Sequence, residues 1–278
     1  MRSSNWMQIY KYHRKHSYLG FTIFINCVRF KPTKTANLKS INIDKQRDKM
    51  PQVTFYHVNG ACSLVPHILL CQLGIDFKSV PMKFREGDDG LESVDGTISK
   101  AEYRKINPAG YVPVLVVDGE LVTEQIAVLT MILFLSPDKE AAEAYLGRDT
   151  LGRVRVAEWM AWLSDTPHSH GYGAFLHPQR FVEGHTDMYS VVKAKGMKTI
   201  EYSYDIIEKR LADRTYVVGE HLTVVDFFVY VLWGWGARLA KIDMKSKYPA
   251  YGKLVERVEA LPAVRKAVKE EEQPFNFS

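Results

Sequence analysis

Three short stretches hold residue types whose spacing can do chemistry. In NGACSLVPHI (59–68), Cys62 or Ser63 falls at the N-terminus of a helix. There the helix dipole lowers a thiol pKa, and free N–H donors can face a bound thiolate. In NPAGYVPVLVVDGELVTEQIAVLTMIL (107–133), Val112-Pro113 stands at the entrance of a strand, where proline cannot donate to the ladder. A cis Val112–Pro113 bond resolves this by turning the Val112 backbone outward, where its N–H and C=O can pair with a bound peptide. Just beyond, Thr123-Glu124-Gln125 opens a helix whose positive end suits a carboxylate, while Glu124 offers an acceptor to an ammonium group. Together these features suit a small zwitterionic peptide extended along a strand edge. The third stretch, SDTPHSHGYG (164–173), supplies His168 and His170, which show no metal-ligand pattern.

The elements that must position these residues follow from periodicity. VTFYHV (53–58) is β-branched and aromatic, hence a strand, and SLVPHILLCQLGI (63–75) carries helical spacing with Gly74 as its stop. Cys71 lies on the apolar face of that helix and is expected in the core. FKSVPM (77–82) alternates as a second strand, and REGDDGLESVDGTIS (85–99) reads as a polar loop. AEYRKI leads to NPAG as a short helix or turn. VPVLVV (112–117), Asp118-Gly119 and ELVT form a tight hairpin, because Asp-Gly supplies the positive φ that such turns need. A helix over 124–135 completes a βαβ-α-ββα order.

From Leu151 the pattern changes to apolar residues three and four apart, over LGRVRVAEWMAWLSD and MYSVVKAKGMKTIEYSYDIIEKRLAD. LTVVDFFVYVLWGWGARLAK is apolar nearly all round, as a central buried helix is. Its start, Thr223-Val-Val-Asp226, has the spacing of a capping box. Pro262 splits the final helical stretch in two. Trp159, Trp162, Trp233 and Trp235 are expected to pack between helices, the first pair being also placed to line an apolar pocket.

Charge is unevenly spread along the 278 residues. Eleven Lys/Arg against Asp44 and Asp48 make residues 1–49 strongly basic (+9), so the formal net charge of +5 leaves a body of −4. A mildly acidic body repels phosphate, which excludes nucleic acid as a partner. The longest apolar run, LGFTIFINCVRF (19–30), is too short for a membrane span and carries Arg29. Cys27, Cys62 and Cys71 form neither a disulfide framework nor a zinc site, which favours a reducing compartment. The basic leader is expected to be a disordered tail, the product of an upstream start, or a mitochondrial presequence.

NPAGYVPVL and LVTEQIAVL resemble the N-P-x-G-x-V-P-x-L and [LT]-[TS]-E-S-x-A-I patterns of glutathione S-transferases, and GEHLTVVDF (219–227) is similar to the G-x-x-[ST]-x-A-D-F box of their second domain. GACSLVPH is similar to the G-A-C-S-L-S-P-H of the bacterial beta class. The resemblance spans about residues 52–270. It implies an α/β + all-α protein: a thioredoxin-like glutathione-binding domain over 50–135, a linker over 136–148 and a C-terminal helical bundle over 149–278. By the same resemblance Val112 and Pro113 hold the cysteinyl backbone of glutathione, and Glu124 and Gln125 its γ-glutamyl end. Gln125 replaces the usual Ser, so its implied contact is the backbone N–H. Cys62, Ser63 and Tyr56 are the candidates that act on the sulfur, and His168 is the candidate histidine of the second domain. The implied activity is conjugation of glutathione, as co-substrate and without metal, to an apolar electrophile by a cytoplasmic homodimer. Two alternatives stand beside it: a glutathione-dependent thiol–disulfide reductase working through Cys62, and a non-catalytic transferase-like scaffold.

Overall fold

The computed structural model describes residues 51–84 and 90–277; the basic leader and Cys27 lie outside them. A five-stranded sheet and a set of helices share one main hydrophobic core. The sheet is formed by β1 (Val53–Val58), β2 (Lys78–Phe84), β3 (Leu91–Ser93), β4 (Val114–Val117) and β5 (Glu120–Thr123), in the order β3-β2-β1-β4-β5. β1 and β2 run parallel and the other pairs antiparallel. The crossover between β1 and β2 is α1 (Leu64–Gln72).

Alternation along β1 assigns its side chains to two faces. Val53, Phe55 and His57 point into the main core with α1 and α3 (Gln125–Leu135), while Tyr56 points to the opposite face. There Tyr56 packs against Tyr103 of α2 (Lys100–Ile106), with ring centroids 5.8 Å apart. α2 is a true helix because Ser99 and Glu102 close a capping box at its start. Asp118 and Gly119 both adopt positive φ in the β4–β5 turn.

One expectation needs correction, and one segment gains detail. The stretch read as a polar loop contains β3, whose residues pair with Met82–Phe84 at the sheet edge. Residues 136–148, read as linker, contain α4 (Lys139–Glu143), capped by Asp138.

The helical part follows. α5 (Thr150–Leu163) runs on into a π-helical segment, Ser164–Gly173, and then the short α6 (Ala174–Leu176). Pro167 lies inside that segment and has no N–H to give to an α-helical ladder. α7 (Tyr189–Leu211) packs on this segment through Gly196, where an added Cβ would lie 2.7 Å from the Phe175 nitrogen. α8 (Val224–Arg238) is the central helix, with every residue from Val224 to Gly236 buried. α9 (Met244–Lys247), α10 (Pro249–Glu259) and α11 (Pro262–Glu270) close the fold, and α11 lies against α1. Among the described residues no helix is long and apolar enough to cross a membrane.

Candidate active site

The turn between β1 and α1 forms the floor of the site. Gly60 takes φ 72°, a conformation side chains rarely adopt, and both its backbone groups are held. Its N–H donates to Glu271 Oε2 at 2.7 Å, and its carbonyl accepts from Trp235 Nε1 at 2.7 Å. Cys62 follows, with its thiol donating to the Val112 carbonyl at 3.6 Å. Burial pushes this thiol up to about 12, outweighing the N–H groups of Cys62 and Ser63 that favour its ionised form. The expected lowering by the helix end is therefore reversed.

Of the three residues proposed to act on sulfur, the structure brings only Cys62 to the cavity. Ser63 is fully buried, and its hydroxyl donates to the Val58 carbonyl and accepts from the Val58 N–H. It staples the turn and does not line the cavity. Tyr56 is carried to the other face of the sheet by the strand alternation, away from Cys62.

The strand-edge features converge as expected. The Val112–Pro113 bond is cis. Val112, Pro113, Glu124 and Gln125 line the same cavity of about 820 Å³ as Cys62. Glu124 precedes α3 and holds φ 68°, ψ 130°, a conformation that costs a non-glycine residue about 1–3 kcal/mol. Gln125 donates from Nε2 to the Cys62 carbonyl at 3.2 Å, while its Oε1 is buried without a hydrogen-bond partner. Gln125 Oε1 is thus a buried acceptor left without a partner at the open end of α3.

The opposite wall comes from the helical part. His168 projects from the π-helical segment into the cavity, its ring 5.5 Å from Trp235 and 6.2 Å from Phe228. Burial, aided by the positive charge of Arg180, pulls this imidazole down to about 4, so it is neutral at physiological pH. His170 is exposed and lies 3.5 Å from Asp165. Trp159 and Trp162 pack edge to face on each other and do not line the cavity; Trp235 lines it instead.

Sequence reasoning missed the support beneath the floor. Glu271 is fully buried and sits 2.8 Å from His67 Nδ1 and 3.5 Å from His57 Nδ1. Burial alone would lower His67, but hydrogen bonds to Cys71 and Glu271 and the Glu271 charge raise it to about 10. Burial and the charge of His67 lower His57 to about 4. The cluster thus carries one imidazolium between two carboxylates, the buried Glu271 and, 2.9 Å from His67 Nε2, the exposed Glu270. Cys71, expected in the core, is partly exposed, with Sγ 3.9 Å from Glu270 Oε2. The donor atoms of His57, His67 and Glu271 lie within 4.8 Å of one another, and the short His67–Glu271 hydrogen bond occupies two of them.

Comparison with known proteins places this geometry. The family model described as glutathione S-transferase, C-terminal domain, matches residues 184–262. A glutathione S-transferase GstA of Escherichia coli O157:H7 is 26% identical over 191 residues, covering 68% of this chain and 85% of that protein. A sphingomonad glutathione S-transferase, solved in complex with glutathione, is 30% identical with a TM-score of 0.62; the match covers 80% of this chain and all of the other. The beta-class enzyme of Sphingomonas chungbukensis is likewise 30% identical, at a TM-score of 0.62, over 78% of this chain and 98% of its own. With both halves of the fold matched and such relatives spanned almost end to end, the chain belongs to the glutathione S-transferase family.

Proposed function

We propose that this chain is a glutathione transferase that directs the thiolate of bound glutathione at an electrophilic carbon of an apolar acceptor. The observation that carries this reading is the convergence of Cys62, Val112, Pro113, Glu124, Gln125 and His168 on one cavity. The Glu124 carboxylate and the orphan Gln125 Oε1 accept from the γ-glutamyl ammonium, and the first N–H groups of α3 take its carboxylate. The Val112 backbone pairs with the cysteinyl residue, which points its sulfur at the Cys62 corner. His168 holds the tripeptide from the helical side. The thiol proton leaves to solvent, the thiolate forms the new C–S bond, and the leaving group departs with its electron pair. Lowering the thiol pKa from near 9 towards neutrality corresponds to about 2–4 kcal/mol, at about 1.36 kcal/mol per unit.

In this reading residues 50–135 are the glutathione-binding domain, 149–278 the helical domain, and 136–148 the connection between them. Glutathione should raise the melting temperature and bind in calorimetry in the micromolar to millimolar range that such contacts give. A parent protein that shows neither effect at millimolar glutathione rules the reading out.

Self-association as a homodimer is part of the proposal. Leu151, Val154, Ala157 and Ala161 form an exposed apolar stripe along α5, and Phe134 of α3 is 58% exposed. Such a stripe is covered more readily by a second copy than by water. Sedimentation should give twice the chain mass, and Val154→Glu should shift it towards one chain. A reducing compartment, the cytoplasm, supplies the reduced co-substrate. Detoxification is the role that an apolar acceptor suits.

A further inference from the structure

The tripeptide contacts leave the charged group of Arg238 unused. Arg238 stands at the C-terminal end of α8, almost one turn beyond Trp235, partly buried and lining the cavity. Its Nη1 donates to Asn276 Oδ1 at 3.2 Å. Asn276 in turn donates to Glu259 Oε2 from its backbone N–H at 2.7 Å and from Nδ2 at 3.0 Å. The buried Glu259 also accepts from the Tyr230 hydroxyl at 2.9 Å and from the Phe277 N–H at 2.7 Å. With four donors on it, this carboxylate is fully used, and it holds the guanidinium only through the Asn276 amide. Among the described residues Arg238 is therefore fixed in place without an ion-pair partner.

Burial draws Arg238 below its ordinary range, an effect that the Glu259 charge, reaching it across Asn276, offsets only in part, and leaves a guanidinium with no direct ion pair. A second guanidinium, that of Arg180, borders the same cavity, 5.0 Å above the Tyr111 ring. Among the described residues the one carboxylate on the cavity wall is Glu124, at the tripeptide end. Phe84, Leu176, Phe228 and Leu239 supply apolar wall.

We propose that Arg238 forms an anion subsite in the acceptor half of the cavity, so that the preferred electrophiles are apolar, ring-bearing compounds that carry a carboxylate. The guanidinium fork gives two parallel N–H donors to such a group, and the relay through Asn276 to Glu259 sets its direction in advance. The chemistry of this inference rests on the transferase reading, whereas its binding preference does not.

Two pairs of probes separate these. Dinitrobenzoate and dinitrobenzene lack a leaving group, and their binding is read by quenching of tryptophan fluorescence. The parent should bind the anion about ten-fold more tightly, with the gap narrowing as salt is added. Chlorodinitrobenzoate and chlorodinitrobenzene, with glutathione, give a ratio of kcat/KM, which should fall about ten- to hundred-fold in Arg238→Gln and by less in Arg180→Gln. Equal binding of both probes by the parent, or a ratio unmoved in Arg238→Gln, overturns the inference. A raised KM for glutathione with an unmoved ratio also overturns it, since the guanidinium then serves the tripeptide's own carboxylate. If the parent turns over neither acceptor yet prefers dinitrobenzoate, the transferase reading fails and the subsite stands. Should Arg238→Gln not fold, the parent's binding ratio and Arg180→Gln decide.

Discussion

The Cys62 sulfur faces two N–H groups that favour its ionised form, but it is buried beside the charges of Glu271 and Glu124, and burial is the larger effect. A thiol raised towards about 12 favours the S–H form that donates to the Val112 carbonyl. This weighs against thiol–disulfide exchange through Cys62, which needs a thiolate. Alkylation of Cys62 by iodoacetamide at pH 7 should be slow and should climb with pH towards that value, with Cys71, equally half-buried, as internal comparison in peptide mass spectrometry. Cys62→Ser, which retains a donor for the Val112 carbonyl, should keep conjugation within about an order of magnitude of the parent. Fast labelling at neutral pH, or accumulation of a mixed disulfide with oxidised glutathione, would restore the nucleophile role. Residue type alone made Cys62 and Ser63 look equivalent; the Ser63 hydroxyl, spent on Val58, separates them.

α8 begins on a capping box that the sequence displayed in full, and the structure adds what spacing cannot show. Asp226 accepts from the Thr223 N–H at 2.7 Å, the Thr223 hydroxyl at 3.0 Å and the Val217 N–H at 2.9 Å, all buried. Asp226→Ala strands these donors and should cost about 2–4 kcal/mol in urea unfolding, at an unchanged m-value. Burial also raises the Asp226 carboxyl to about 6, against an ordinary 3.8. Between these values the folded protein holds a proton that the unfolded chain has released, so this group's contribution to stability falls as pH rises through the window, by about 3 kcal/mol in all. Asp226→Asn should remove that slope; a parent and variant with parallel pH profiles from 4 to 6 would disprove it. Elements announced by a cap or a turn, such as α8 with its Thr223–Asp226 box and the β4–β5 hairpin with Asp118-Gly119, were legible in this way. β3 was not, because three residues between Gly-rich and acidic neighbours carry no period and pair only through their register with Met82–Phe84. Tyr56 was misplaced for a related reason. A motif fixes its position along β1, whereas the two-residue alternation fixes its face.

Across the whole molecule, the C-terminal segment returns to hold the site from below, a tie that no local pattern announces because His67 and Glu271 stand 204 residues apart. Glu271 joins the Gly60 N–H, and thereby the floor of the cavity, to α1 through His67. Glu271→Gln removes the buried charge between the Gly60 N–H and His67, although His67 keeps Glu270 Oε2 at 2.9 Å from its Nε2, so the change should cost about 1–3 kcal/mol. The pH dependence distinguishes an ion pair from simple packing. His67 is raised to about 10 in the fold, against 6.5 unperturbed, so its share of the stability is fully present below 6.5 and is lost as pH rises through about 10. The gap in stability between parent and Glu271→Gln, from urea unfolding, should therefore be widest near pH 6 and close progressively towards pH 10. Titrations common to both proteins cancel in that difference. Because Gly60 loses its anchor, glutathione affinity should fall in the same variant even at pH and temperature where it is fully folded. A gap that stays constant with pH would mean that Glu270, 2.9 Å from His67 Nε2, holds the imidazolium without Glu271, and Glu271 would then act by hydrogen bonding to Gly60 alone.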